Sequence, residues 1–421
     1  MIGGSDRRML QRARKRGTEM RVGIFSWESL YSVKIGGIAP HVSELSEALV
    51  KRGHEVHIFT RRGDFDVYDI INGVHYHRVA IENLGNIVFQ MDKMCDALFE
   101  SFERAQKIFG KFDIIHGHDW HPVKALNRIK SDYGLRYILT LHSSEWGRNG
   151  NYFGDDISKE ISHREWLGGY ESQQMIVTTR RMQDELMQIY SIPESKITII
   201  PNGIIRRKTP QILDAGRVKE RYGISPITPM VFFCGRMSIQ KGPDLLVESI
   251  PLILKNRGDV KFIFIGEGSM RTECERRAWE LGIGEACRFL GYVSGPTKEE
   301  VLNACDLVCI PSRNEPFGIV VLEAWDACKP VVATEAVSII NNFEDGLLAY
   351  VQPESIAWCI NRLLDSPDEM KKLAYEGYNR IDAEFRWDSI ASKTEDVYNE
   401  ALKRYNTSDL QSSSSRRRPE L

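Results

Sequence analysis

The feature that most limits the fold of this chain is an alternation that runs once and then starts again. From Met20 onward, short apolar runs rich in β-branched residues are separated by stretches of helical periodicity. "MRVGIFSW" reads as a buried strand, "PHVSELSEALVKRG" as a helix stopped by Gly53, and "HEVHIFTR" as the next strand. "FDIIHGH", "RYILTLHSS", "MIVTT" and "KITIIPNG" continue the series, with helices such as "MDKMCDALFESFERAQKIFG" between them. After "PNGIIRRKTPQILDAG", a stretch of turn residues and charge, come "MVFFCGR", "KFIFIGEG", "CRFLGYV", "LVCIPS" and "PVVAT", each followed by a helix. Alternation of this kind builds a mostly parallel sheet with helices on its faces. The expected fold class is therefore α/β: two Rossmann-like doubly wound domains with an interdomain cleft. The expected segments are a basic N-terminal extension over 1–19, one domain over 20–208, a second over 209–385, a C-terminal helix over 386–405 that packs back across a domain, and a disordered tail over 406–421. Ligands of such sheets bind beyond the carboxyl ends of the strands, so the loops there carry the candidate chemistry.

Composition narrows the function classes. The 421 residues are enough for about two or three domains, and 42% hydrophobic with 27% charged residues describes a globular protein. A formal charge of -2 gives no electrostatic reason to expect nucleic acid as a partner. The eight cysteines are scattered, Cys305 and Cys309 reading as small buried residues, and no clustered Cys/His spacing of the zinc type can be drawn. A reducing cytoplasm is the expected compartment. No apolar run approaches the roughly 20 residues of a transmembrane span. The segment with Arg7, Arg8, Arg12, Arg14, Lys15 and Arg16 has no apolar core, so it is not a secretory signal. A transit peptide or surface helix, an upstream extension, and a misassigned start are the readings it leaves.

Several motifs sit at strand ends. "KIGGIAPHV" opens the first helix: Gly36 and Gly37 allow close approach to the backbone, the helix start offers free N–H groups and Lys34 adds a charge, all suited to a phosphate. A plain strand-to-helix turn explains the glycines equally simply. "HGHDWHP" carries His116, His118, Asp119 and His121, for which a metal cluster, satisfied structural histidines and a polar active-site wall compete. The wall is the preferred reading, with alternate residues on one face of the strand end. Asp64 and Asp66 form a D-x-D triplet, better explained by a solvated loop than by a metal–diphosphate site. Arg236 and Lys241, in "GRMSIQKGPDLL", form a loop cation pair able to neutralise a diphosphate without a metal, or else two surface charges. In "RNEPFGIVVLEAW", Glu315 falls in a loop and Glu323 about one and a half turns inside a helix. An unpaired carboxylate in such an apolar setting costs several kcal/mol, on the order of one functional contact, so both call for partners or a ligand. The amides of Phe317, Gly318 and Ile319 at that helix start are available to phosphate oxygens.

Lys34-x-Gly36-Gly37, "HDWHP", Arg236…Lys241, "IGEG" and "EPFGIVVLEA", in this order, resemble the retaining glycosyltransferases of the two-Rossmann (GT-B) fold. More narrowly, they resemble the group of glycogen (starch) synthases and family-four transferases, over nearly the whole chain from Met20 to about Tyr405. The resemblance implies an acceptor-binding first domain and a nucleotide-sugar-binding second domain. It places Lys34, Gly36 and Gly37 by the donor diphosphate and acceptor, and His118 near the reacting face of the transferred sugar. It places Arg236 and Lys241 on the diphosphate, Glu315 on sugar hydroxyls and Glu323 on ribose hydroxyls. It also implies front-face retention, in which a phosphate oxygen takes the acceptor proton, and no metal or other cofactor beyond the substrate, ADP- or UDP-glucose. The leading acceptor is an α-glucan, and a homo-oligomer is left open. The chain departs from the pattern in having no glycine between Pro330 and Gly346, where family members usually carry a pair. That departure keeps a catalytically silent nucleotide-sugar binder in view. A family-four transferase acting on a lipid or small molecule and, less favoured, a nucleotide-sugar epimerase are the further readings.

Overall fold

The structure is a computed structural model that describes residues 19–33, 36–62, 66–81, 85–206 and 214–414, with side chains through Lys403. Most of the basic extension, Lys34 and Asp64 lie outside the described residues. The chain divides into two compact units, one of residues 1–145, 153–203 and 387–421, the other of 146–152 and 204–386. The short excursion Trp146–Tyr152 has no counterpart in the expected boundaries.

The first unit is built on an eight-stranded sheet of β1 (Arg21–Phe25), β2 (Glu55–Arg62), β3 (Val67–Ile71), β4 (Val74–Ala80), β5 (Ile114–His118), β6 (Tyr137–Leu141), β7 (Gln174–Val177) and β8 (Ile197–Ile199), in the order β3-β4-β2-β1-β5-β6-β7-β8. The central strands are buried on both faces, as the continuous apolar runs demand. The β3–β4 pair is antiparallel and was not expected. Its turn is Asn72-Gly73, with φ of 52° and 83°, and Asn-Gly is the sequence that accepts two successive positive φ values in a tight hairpin.

The second unit holds a six-stranded parallel sheet of β9 (Met230–Cys234), β10 (Lys261–Ile265), β11 (Cys287–Phe289), β12 (Leu307–Ile310), β13 (Val331–Thr334) and β14 (Leu347–Ala349), in the order β11-β10-β9-β12-β13-β14. In both sheets the chain lays strands to one side of its first strand and then crosses to the other. The resulting switch points fall between β1 and β5 and between β9 and β12, the positions at which sheets of this kind bind their ligands.

The helix Trp387–Ser414 returns to the first unit, burying Trp387, Ile390 and Tyr398 with Val22, Ile24 and Leu45. Burial of side chains this large contributes about 1.5–3 kcal/mol each. Trp387 Nε1 donates to Glu44 Oε2 at 2.5 Å, and Arg52 pairs with Glu395 at 2.7 Å. Residues 406–414, expected as part of a disordered tail, continue this helix; the stretch has no Gly or Pro to stop its propagation. Among the described residues, no helix is long and apolar enough to cross a membrane.

Candidate active site

In the second unit the loops after β9, β10 and β12 lock together through their backbones at the switch point. Gly235 N donates to Ile265 O at 3.0 Å, Met237 N to Glu267 O at 2.8 Å, and Arg313 N to Gln240 O at 2.8 Å. The Arg313 guanidinium adds a two-point ion pair to Asp244, at 2.8 and 2.5 Å, in the first turn of the helix Pro243–Asn256. This frame presents Arg236, which is exposed, donates to Gln240 Oε1 at 3.3 Å and pairs with no carboxylate among the described residues. A cation held at a strand end without a partner carboxylate suits an incoming anion.

The two glutamates have partners. Lys241 Nζ donates to Glu315 Oε2 at 2.7 Å and Ser312 Oγ to the same oxygen at 3.1 Å, with Glu315 only 8% exposed. Lys298 Nζ reaches both oxygens of Glu323, at 2.7 and 2.6 Å. The two ion pairs share a neighbourhood, since Cys234 at the end of β9 feels the fields of Lys298, Glu323 and Lys241, while burial pushes its thiol up to about 11. Each carboxylate has about four lone-pair directions, so one or two lysine hydrogen bonds leave acceptors for hydroxyls.

Gly318 caps the helix Ile319–Asp326 at φ 99°. A Cβ there would lie 3.2 Å from both Val321 Cγ2 and Val337 Cγ1, so the left-handed turn and the close packing both select glycine. Phe317 is buried against Phe385, which fixes the backbone entering the helix. The first amides of a helix have no acceptor within it, so those of Gly318 and Ile319 must find partners outside the helix. Without its glycine pair, the loop after β13 is organised by Asp345. This carboxylate accepts from Asn341 N at 2.9 Å and Arg380 Nη1 at 2.5 Å, while its backbone oxygen accepts from Trp325 Nε1 at 3.0 Å. Val337, buried on Gly318, bridges the Glu315 backbone.

In the first unit, the Gly36 amide, expected at a phosphate, donates to the buried Glu28 carboxylate at 3.0 Å. His118, expected against a sugar, is fully buried. Its Nδ1 lies 3.0 Å from Nε2 of His142, which is half-buried, and its ring also faces His41 and His116. Burial, with the neighbouring imidazoles, holds His41, His116 and His118 well below the usual histidine range, and burial alone pushes His142 down to about 3, so all four are neutral near pH 7. Asp119, at φ 57°, accepts from His142 N at 2.7 Å and ties β5 to the end of β6. His116 is a satisfied structural residue, hydrogen-bonded to Tyr398 OH and Thr140 Oγ1 at 2.7 Å each. His121 stacks against Trp27 and Trp120. Asp66 accepts from Ala80 N and Arg104, both at 2.9 Å, a structural engagement.

Lys298, His41, His142 and Glu28 were not singled out from the sequence. The signal for His142 was its place at a strand end in "RYILTLHSS"; Lys298, in "GPTKEEV", reads as an ordinary solvated helix start.

Two mostly parallel α/β sheet halves, each with a switch point, are the architecture of GT-B transferases. Residues 35–207 match the family described as Glycosyltransferase Family 4, and residues 215–380 that described as Glycosyl transferases group 1. An uncharacterised glycosyltransferase of Methanocaldococcus jannaschii is 34% identical over 398 residues, which span 91% of this chain and 99% of the relative. The glycogen synthase of Mycobacterium tuberculosis is 27% identical over 404 residues, 90% of this chain and 94% of that protein. Among solved structures, sucrose-phosphate synthase of Thermosynechococcus elongatus shares the fold, with a TM-score of 0.75 and 21% identity over 91% of this chain and 99% of that one. The chain belongs to the GT-B glycosyltransferase family that joins a family-four first half to a group-1 second half.

Proposed function

We propose that this glycosyltransferase moves a hexose, glucose, from ADP- or UDP-glucose to an α-glucan with retention at the anomeric carbon and without a metal. The observation that carries this reading is the group at the second switch point: exposed Arg236, the Lys241–Glu315 pair and the Lys298–Glu323 pair. Similarity to a protein named glycogen synthase supports the glucan acceptor. Breaking the bond between the anomeric carbon and phosphate places extra negative charge on the leaving diphosphate. Arg236, Lys241 and the amides of Phe317, Gly318 and Ile319 are assigned to stabilise that charge where it develops. Glu315 accepts from sugar hydroxyls and Glu323 from ribose hydroxyls, each oriented by its lysine. In the first unit, Lys34 and Gly37 are assigned to the diphosphate and acceptor, with Gly36 held by Glu28. The His118–His142 pair supplies a neutral imidazole face for the sugar, with His142 as its less buried member. The acceptor proton passes to a diphosphate oxygen, so the two glutamates need no acid/base role, unlike the paired carboxyls of glycoside hydrolases.

The test is a panel of ADP-, UDP- and GDP-sugars, measuring binding, slow donor hydrolysis and transfer to glycogen. Transfer from ADP- or UDP-glucose is expected, and a chelator is expected to leave the rate unchanged. Binding with neither hydrolysis nor transfer would overturn the reading in favour of a silent sensor. Restoration of chelated enzyme by Mn²⁺ would overturn its metal independence. Lys298→Met is expected to raise the donor KM about tenfold, equivalent to about 1.4 kcal/mol, with kcat nearly unchanged, because a ribose contact is made equally in ground and transition states. A fall in kcat at constant KM would move Lys298 onto the reacting groups.

A further inference from the structure

We propose that His41, His118 and His142 form a binding site for one divalent ion of the zinc class, distinct from the groups assigned to the nucleotide. The three residues come from separate elements: the helix Ile38–Lys51, the end of β5 and the residue after β6. One ring nitrogen from each lies within 4.8 Å of the other two. Three imidazoles converging from a helix and two strand ends are a recurring zinc donor set.

Three details favour ligation over simple packing. First, His41 Nδ1 is buried without a hydrogen-bond partner, and a buried polar atom left in this state asks for an explanation; His118 Nε2 is likewise unpartnered and is the atom that takes up a proton, not a ligand. Second, His118 Nδ1 and His142 Nε2 are 3.0 Å apart, close to the roughly 3.3 Å between two nitrogens on a tetrahedral zinc with bonds of 2.0–2.1 Å. The single hydrogen between these neutral rings has somewhere to go: on His118 it moves to the unpartnered Nε2, which frees Nδ1 with no net proton released. Third, the rings are held from behind. Asp119 grips the His142 backbone, His41 packs edge-on to Trp387 at 5.3 Å, and His116, with both nitrogens engaged, backs His118.

An imidazole-only set selects Zn²⁺, Cu²⁺ or Ni²⁺ over Mg²⁺, Ca²⁺ and Mn²⁺. The site is therefore compatible with transfer that needs no metal: an ion here withdraws the His118–His142 pair from the sugar and inhibits. That consequence rests on the transferase reading; the binding itself does not.

The experiment is titration of the full-length, metal-free protein with Zn²⁺ by calorimetry and with Co²⁺ by visible absorption, in the absence of donor. One ion per chain is expected, with intense ligand-field bands for Co²⁺ and a Zn²⁺-dependent rise in melting temperature. His41→Gln and His142→Gln, tested separately, are each expected to weaken Zn²⁺ binding by about a hundredfold. Melting curves of the metal-free variants show whether each has kept its fold. Absence of stoichiometric uptake, or uptake that both folded variants retain, as it would be if cysteines held the ion, overturns the proposal. Absence of transfer from every donor, both in metal-free protein and with metal added, would instead overturn the transferase reading and leave the metal site standing.

Discussion

Lys241→Ala is expected to lower kcat at saturating donor about a hundredfold, or about 3 kcal/mol, the loss typical of removing one preorganised group that meets charge developing in a transition state. The structure adds a second consequence. Lys241 Nζ is the cation on Glu315 Oε2, and Glu315 is almost fully buried. Removing the lysine leaves that carboxylate with Ser312 Oγ at 3.1 Å and, among the described residues, no other ion pair, and a stranded buried charge is itself costly. The two effects separate in a double variant. If the loss comes from Glu315 alone, Glu315→Gln in the Lys241→Ala background relieves the repulsion toward the donor and recovers much of the rate. If Lys241 carries diphosphate charge, the double variant stays as slow as the single one or slower. Unchanged kcat in Lys241→Ala would remove the lysine from the diphosphate and leave it as a structural partner of Glu315.

That entanglement marks the boundary of what the residues alone reveal. Strand positions are legible because a doubly wound sheet buries its strands on both faces, and "MVFFC" or "LVCI" can be little else. The placing of Glu315 in a loop and Glu323 inside a helix follows from the same periodicity. The partners of those glutamates are not legible in that way. Lys298 lies 25 residues before Glu323, and only the sheet order, which carries the chain from β11 across β10 and β9 to β12, brings the two helices together. The histidine triad is hidden for the same reason: His41, His118 and His142 are 77 and 24 residues apart in sequence, by subtraction of their numbers, and converge because β5 and β6 are neighbours beside the first helix. The β3–β4 hairpin is a different kind of miss. "IINGVHY" holds the Asn-Gly signal flanked by β-branched residues, but it directly follows the polar, turn-rich "GDFDVYD", whose aspartates make the whole stretch resemble one solvated loop. The loop after β13 shows a third kind. Losing a glycine pair suggested damage, yet Asp345 and Arg380 supply an ordered alternative that the local sequence does not announce.

Gly266→Ala is expected to be the most damaging single methyl that can be added to the second unit. Gly266 follows β10 at φ 143°, a conformation side-chain-bearing residues rarely adopt, and a Cβ there would fall 1.8 Å from Gly235 O and 2.9 Å from Gly235 C. No flexible side chain is available to yield. Both neighbours are backbone, and both are pinned, Gly235 N to Ile265 O at 3.0 Å and Gly266 N to Gly291 O at 2.8 Å. Relief requires the β9 and β10 loops to separate, breaking the contacts that hold Arg236 in place. Strain of this kind costs about 1–3 kcal/mol, and the lost backbone hydrogen bonds bring the expected destabilisation to about 3–5 kcal/mol, read as a shift in urea midpoint. The surviving folded fraction is expected to bind donor poorly, because the residue next to Gly235 is the exposed Arg236. An unchanged midpoint with unchanged donor affinity would mean that the loops part at little cost and that their interlocking does not organise the site. The "IGEG" glycines are therefore expected to act on the donor only indirectly: they pack against the neighbouring loop, and that loop carries Arg236.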